Sequence, residues 1–242
     1  MKEVENYLLN NKKLKIIQRR DMFNFSLDTV LVTHFAAITK RTNKIVDFGT
    51  NNAAIPLILS TLTDKPIIGV EIQKEAIELA QKNIINNNLE KQVSIIHDDI
   101  NNFVLHFNEK VGLVICNPPF FKIQENSNVN ENEYLKIARH EIKINLEQII
   151  INAAKILDNK GKFVLIHRPD RLIEIITLMK KYRLEPKRLR LIYPKINSEA
   201  NMILIEGSLQ GNKGLIIEAP LIAHNEDGSY SDEVKMMFLG EE

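Results

Sequence analysis

The densest chemistry in the chain lies in Val114-Ile115-Cys116-Asn117-Pro118-Pro119-Phe120. An apolar strand runs into two prolines, neither of which donates a backbone hydrogen bond, so the strand ladder must stop there. The same prolines hold the chain extended just past the strand end. The Asn117 side-chain amide and the Pro118 carbonyl then stand as fixed acceptors beside the ring of Phe120. That set suits gripping a planar amino group while the neighbouring ring stacks on its base. A plain turn followed by a core phenylalanine is the alternative; the position directly after an apolar strand favours the chemical reading.

Three other strand ends carry polar groups of the same kind. Lys44-Ile45-Val46-Asp47-Phe48 reads as a buried strand closed by Gly49-Thr50-Asn51, a tight turn that brings backbone N–H groups close to a ligand at the start of a helix. Ile67 to Glu71 is a second strand, and Glu71 falls about two dozen residues after Asp47, a spacing that places an acid to accept both hydroxyls of a ribose. Val93 to His97 is a third, ending at Asp98-Asp99, placed to accept from an adenine amino group. Capping of a following helix is the alternative for these two acids. Together the four ends outline an adenosine-shaped site with a second planar pocket beside it.

The elements that must position these residues follow from periodicity. Helices are expected over Thr29 to Ile38 (with Ser26 as cap), Ile55 to Leu62, Lys74 to Asn87, Leu146 to Leu157, and from Asp170 to about Tyr182. Further strands are expected at Leu14 to Gln18, Val111 to Cys116, Phe163 to His167, Leu189 to Tyr193 and Met202 to Glu206, with a last edge strand at Leu215 to Ile217. Residues 1 to 13 read as a helix or frayed tail, and Lys122 to Glu133 as a loop. Strands and helices alternate over roughly the first 180 residues, which predicts an α/β fold with a mostly parallel sheet covered on both faces. The last two long strands follow one another without a helix and are expected as an antiparallel edge pair.

The chain has 242 residues and a net charge of +1, so one sizeable core is expected and any polyanion site must come from local clustering. One cysteine, Cys116, excludes an internal disulfide and a multi-cysteine metal site, and burial as a small hydrophobe is its expected role. The six histidines show no paired ligand spacing, so no metal is expected. The polar segment Met1 to Asn11 is not the pattern of a signal peptide, and no apolar run reaches membrane-spanning length; a cytoplasmic protein without membrane contact is the expectation.

Asp47-x-Gly49, Glu71, Asp98-Asp99 and Asn117-Pro118-Pro119-Phe120 resemble the ordered motifs of class I S-adenosylmethionine-dependent methyltransferases that alkylate amino groups. Phe25 to Leu31, Ala138 to Glu141 and His167 to Leu172 resemble segments of the bacterial enzymes that methylate adenosine 37 of valine tRNA. The likeness runs from about Leu14 to Ile205. It implies a Rossmann-like seven-stranded sheet in a single domain over 1–242, with 1–40 an extension on the cofactor side, 41–210 the catalytic core and 211–242 a tail. It implies S-adenosylmethionine held by Ser26, Asp28, Asp47, Gly49, Thr50, Asn51, Glu71, Ile72, Asp98, Asp99 and Asn117. Asn117, Pro118, Pro119 and Phe120 would be catalytic, and a tRNA would be the partner of a monomeric enzyme.

The implied chemistry is direct transfer to an adenine N6 amine. The task is alignment of nucleophile, methyl and sulfur, with Asn117 and Pro118 drawing the amine toward tetrahedral geometry. Lys122, Arg139, His140, Arg168, Lys187, Arg188 and Arg190 are the expected RNA contacts, although charge runs are usually only solvated faces. One departure stands out. The family's first loop is glycine-rich, whereas here it reads Gly49-Thr50-Asn51-Asn52-Ala53-Ala54, with Asn51 in place to replace a glycine because Asn tolerates left-handed backbone. A glutamine amide also fits an Asn-Pro-Pro grip, so protein glutamine methylation is the runner-up. It is disfavoured because only about 43 residues precede the first strand of the core. A cofactor-binding module that has lost turnover through the altered loop is the third reading. A nicotinamide dehydrogenase lacks its three-glycine spacing here.

Overall fold

The computed structural model describes residues 3–8, 14–22, 24–119 and 145–239. A hairpin opens the chain: β1 (Glu3–Tyr7) pairs antiparallel with β2 (Lys15–Arg19). The helix or tail expected over residues 1 to 13 is therefore a strand where it is described. Alternation in Leu14, Ile16 and Gln18, all buried, gives β2 one face to pack, and β1 follows as its partner.

The core alternates as anticipated. In order come α1 (Leu27–Phe35), β3 (Ile45–Phe48), α2 (Ala54–Leu62), β4 (Ile67–Glu71), α3 (Lys74–Asn86), β5 (Val93–His97), α4 (Ile100–His106), β6 (Val111–Cys116), α5 (Leu146–Ile156) and β7 (Leu157–His167). A short 3₁₀ turn at Pro169–Arg171 leads into α6 (Leu172–Lys181), then β8 (Leu184–Tyr193) and β9 (Met202–Leu209). The sheet order is β10-β8-β9-β7-β6-β3-β4-β5, where β10 is Ile216–Ile217; β11 (Leu221–Ile222) also pairs with β8. Strands β3 to β7 run parallel, and β9 inserts antiparallel between β7 and β8. The seven long strands are those expected, and the two short ones extend the edge.

Period-two alternation sends neighbouring side chains to opposite cores. Ile45, Leu113, Ile115, Val164 and Ile166 pack with α1 and α2, while Val46, Phe48, Val114, Phe163 and Leu165 pack with α4, α5 and α6. Asp47 therefore lies between two apolar neighbours on the α1 side of a strand buried on both faces.

Several expectations are corrected. α1 stops at Phe35 rather than Ile38, because Ala36 turns to an extended conformation. α4 was not anticipated; seven residues give too short a periodic signal. α5 ends at Ile156, and Lys160, in a left-handed conformation, lies in an irregular stretch of β7 rather than ending the helix. The tail expected over 211–242 contains β10, β11 and α7 (Asp232–Leu239), whose Val234 is buried in the same core as Val30 and Leu31.

Candidate active site

Register aligns the four informative strand ends. Phe48 stands opposite Val70 on one side and Cys116 on the other, so Gly49, Glu71 and Asn117 are the next residues of three adjacent strands. Glu71 in turn faces His97, which puts Asp98 one residue beyond. Ligands of open parallel sheets bind along this carboxyl edge.

The loop after β3 is held residue by residue. Gly49 and Thr50 both donate from their amides to the Val70 carbonyl, at 2.9 and 3.1 Å. Asn51 donates from its amide to Glu71 Oε2 at 2.9 Å, and Ala53 to the Thr50 carbonyl at 2.9 Å. Gly49, Asn51 and Ala53 have φ of 73°, 50° and 66°. Asn51 thus adopts the left-handed backbone expected of it, and Ala53 does so as well, a conformation that disfavours residues with a Cβ. Gly69, on the next strand, makes room for the loop: a Cβ there would meet the Thr50 side chain at 2.7 Å.

This loop is rimmed by polar atoms with no hydrogen-bond partner among the described residues. Both carboxylate oxygens of Asp47, the Thr50 hydroxyl, the Asn52 amide nitrogen and Gln73 Oε1 are buried without a hydrogen bond among the described residues. Burial pushes the Asp47 carboxyl up to about 7; the Thr50 hydroxyl, close by but outside hydrogen-bond geometry, opposes this, and the charge of Glu71 adds to it. Buried polar groups are rarely left unmatched, so such a cluster is what a polar ligand would complete. Glu71 is also raised by burial, held in check by the amides of Gln73, Asn51 and Ile72. Those amides, each at 2.9 Å, lock its carboxylate at the strand end.

Of the paired acids, Asp99 caps α4, accepting from the Asn101 amide at 2.8 Å. Its Oδ2 has no partner among the described residues. Asp98 accepts from the Asp99 amide and from the Asn102 side chain. At the N-terminus of α1, Ser26 holds the cap position but makes no side-chain cap bond; its hydroxyl instead counters the burial that raises the Asp28 carboxyl.

At the end of β6, Asn117 is half-buried and its Nδ2 reaches the Thr29 hydroxyl of α1 at 3.5 Å. Its Oδ1 has no partner among the described residues and is the end of the amide available to accept. Pro118 is buried beside it. Phe120, Lys122, Arg139 and His140 lie outside the described residues. Cys116 donates to the Phe48 carbonyl at 3.3 Å, and burial holds its thiol well above the usual range, so it packs rather than reacts. One strand over, His167 ends β7; its Nδ1 accepts from the Arg168 amide at 2.8 Å. Burial first, then the charge of Arg171, push its pKa down to about 4.

The basic residues divide. Arg168 is exposed at the carboxyl edge, its backbone bonded to His167 and Arg171 and its guanidinium making no hydrogen bond or ion pair among the described residues. Lys187, Arg188 and Arg190 lie in the body of β8 and are taken up by other segments. Lys187 donates to the Asn212 carbonyl, and Arg188 pairs with Glu218 and the buried Glu206. Arg190 pairs with Glu233 of α7. Nothing in the sequence pairs Thr29 with Asn117, since the two are far apart in the chain. Asn83, whose side chain donates to the Asn52 carbonyl at 2.9 Å, has the sequence signature of an ordinary helix residue.

Acids at the ends of adjacent parallel strands beside an Asn-Pro-Pro turn, on this sheet order, fit a Rossmann-like methyltransferase. The profile of the methyltransferase small domain matches residues 25–182, and the chain belongs to that family. It is 30% identical over 196 residues to a tRNA1(Val) (adenine(37)-N6)-methyltransferase of Porphyromonas gingivalis, covering 78% of this chain and 75% of the relative. A namesake from Aliivibrio salmonicida is 26% identical and covers 87% of each chain. A release factor glutamine methyltransferase of Buchnera aphidicola is 28% identical but covers 60% of this chain and 54% of its own length. Among solved structures, a predicted O-methyltransferase from Agrobacterium tumefaciens superimposes with a TM-score of 0.67 at 20% identity, covering 88% of this chain and 95% of that one, which shows a shared fold.

Proposed function

We propose that the chain methylates the exocyclic N6 amine of an adenosine in tRNA, adenosine 37 of a valine tRNA, with S-adenosylmethionine as the donor. The observation that carries this is the Asn117-Pro118 turn at the end of β6, its amide tied to Thr29 and its Oδ1 left to accept, one strand from Asp47, whose carboxylate has no hydrogen-bond partner among the described residues. The relatives that span three quarters or more of their own length bear the tRNA adenine name, and the glutamine methyltransferase matches over a shorter stretch.

Bound S-adenosylmethionine supplies a methyl group on a sulfonium sulfur, which needs no further activation. Glu71 is placed for the ribose hydroxyls, Asp98 or Asp99 for the adenine edge, and the Gly49–Ala53 loop with Asp47 for the polar end of the donor. Asn117 Oδ1 and the Pro118 carbonyl accept from the target amine and draw its nitrogen out of conjugation with the ring, so that its lone pair points along the line of transfer. The sulfur–methyl bond breaks as the nitrogen–methyl bond forms, S-adenosylhomocysteine leaves as a neutral thioether at sulfur, and the proton made acidic on the methylated nitrogen passes to water, so no strong base is required. The target base must leave its stack to reach this depth. Arg168, at the rim, is placed for a backbone phosphate. The N-terminal hairpin covers the cofactor side, and the chain acts as one unit. No group of three or more metal-ligating side chains occurs among the described residues, and the mechanism uses none.

The test is a competition. Labelled S-adenosylmethionine is offered with total tRNA and a release factor together. Label in tRNA is expected. Label confined to the protein would transfer the assignment to glutamine, and binding of the donor without label in either would make the chain a binding module.

A further inference from the structure

Helix α3 and its C-terminal cap residue turn two asparagines, Asn83 and Asn87, toward the N-terminal hairpin. Asn83 Oδ1 accepts from the Ile17 amide at 2.6 Å, and its Nδ2 donates to the Ile17 carbonyl at 3.1 Å. One turn later Asn87 makes the same pair with Lys15, at 2.9 and 2.8 Å. The spacings match: two residues along a strand rise about 6.7 Å, and four along a helix about 6 Å. Two side-chain amides therefore stand in for a neighbouring strand along the edge of β2 that faces away from β1.

The two asparagines differ in one further bond. Nδ2 of Asn87 reaches back to the Asn83 carbonyl in its own helix, at 2.7 Å. Nδ2 of Asn83 reaches the Asn52 carbonyl at 2.9 Å, in a fully buried contact. Asn52 lies between the two non-glycine residues of the loop in left-handed backbone, Asn51 and Ala53. Steric repulsion between Cβ and backbone works against both conformations, so the loop keeps its shape only where neighbours over-determine it. The amides at 49, 50 and 51 are held by β4. The stretch between Asn51 and Ala53 is held from α3 by Asn83.

We infer that Asn83 is the positioning residue of the cofactor loop: it holds the glycine-poor turn in its donor-binding shape and links that shape to docking of the N-terminal hairpin. A glycine-rich loop reaches these backbone angles without strain, whereas here a buried amide two elements away enforces them. The inference rests on Gly49–Ala53 being the donor loop. Its deciding readout is donor binding, so it stands or falls separately from the identity of the methyl acceptor.

The experiment measures binding of S-adenosylhomocysteine to the full chain by calorimetry for wild type, Asn83→Ala, Asn83→Asp and Asn87→Ala, with amide hydrogen exchange at Lys15 and Ile17 alongside. Both alanine variants are expected to speed exchange in the hairpin. Asn83→Ala should weaken binding at least tenfold, and Asn87→Ala by less than twofold. Asn83→Asp keeps an acceptor for the Ile17 amide but has no donor for the Ile17 or the Asn52 carbonyl. It should show the same tenfold loss, and serves if the alanine variant does not fold. In turnover, KM for the donor should rise while kcat holds. Equal weakening by Asn83→Ala and Asn87→Ala would reduce the effect to hairpin docking, and unchanged affinity in the Asn83 variants, or failure of both to fold while Asn87→Ala folds, would overturn the inference.

Discussion

The side-chain amide of Asn117, at the end of β6, donates to the hydroxyl of Thr29 on α1 across 3.5 Å. The contact joins residues that are far apart in sequence, with the nitrogen pole of the amide toward the helix. Thr29 is itself buried, and its carbonyl accepts from Thr33 at 2.6 Å, so the anchor is part of a regular helix turn. The orientation of the Asn117 amide is thereby tied to the scaffold.

Removing that acceptor should separate chemistry from binding. Asn117→Ala is expected to lower kcat on the order of 10²-fold or more, the scale seen when one preorganised polar contact to a transition state is deleted. Affinity for S-adenosylhomocysteine should stay within about twofold. Thr29→Val removes only the anchor and should lower kcat by roughly fivefold, consistent with a net hydrogen bond of about 1 kcal/mol. Single-turnover rates and calorimetry read the two quantities; an equal loss of cofactor affinity in Asn117→Ala would take the residue out of the catalytic role.

Asp47 should couple donor binding to pH. In the free protein its carboxyl ionises near 7 because burial disfavours the charged form. A donor bearing positive charge favours the ionised form, so binding below pH 7 must release a proton and affinity should rise as pH increases through about 7. The free protein carries the opposite dependence. A carboxyl whose folded pKa is raised contributes stability that is complete below the unfolded value of 3.8 and is lost as pH rises toward 7. Calorimetry at pH 6 in buffers of different ionisation heat should show close to one proton released, falling toward zero at pH 8. Asp47→Asn should abolish the dependence.

His167 sets the acid limb. Its pKa is depressed to about 4, so the unfolded chain binds the extra proton first as pH falls. The stability it contributes is present above about 6.5 and is lost as pH falls through about 4, by roughly 3 kcal/mol in full. Protonation at Nδ1 would also remove the acceptor for the Arg168 amide. Between pH 7 and 4 the urea midpoint of wild type should drop relative to that of His167→Gln, in which the opposing contribution of Asp47 is the same.

Cys116 should be silent. Its thiol is buried, raised well above its ordinary pKa by burial and by the nearby Asp47, and already bonded to the Phe48 carbonyl. A disulfide exchange reagent should leave the folded protein unmodified over hours and label one thiol per chain in denaturant.

Much of this site was legible in the chain because its informative residues sit at the ends of short, strongly apolar runs. Strand ends read from Phe48, Glu71, His97 and Cys116 need only the alternation of burial, and register then brings Gly49, Glu71, Asp98 and Asn117 to one edge without further information. The left-handed backbone at Asn51 was anticipated from residue type. The same conformation at Ala53 was not, because nothing in an alanine announces it. The N-terminal strand was hidden by its own sequence: Glu3 to Tyr7 is mostly exposed and becomes a strand only through pairing with β2. Lys187, Arg188 and Arg190 looked like an RNA-facing run. Charge alone does not reveal that Glu206, Glu218, Glu233 and the Asn212 carbonyl take them up. Asn83 and Thr29 belong to the same class, polar residues whose partners are set by tertiary contact.

The central claim is tested most directly by nucleoside analysis of tRNA methylated in vitro. Purified chain and labelled S-adenosylmethionine are incubated with tRNA from a strain lacking this activity, and the digested nucleosides are separated by mass. The account predicts label in N6-methyladenosine, in the fragment of valine tRNA that carries adenosine 37, with Asn117→Ala as the blank. Label in any other nucleoside, or in N6-methyladenosine that the Asn117→Ala variant forms equally well, would contradict it.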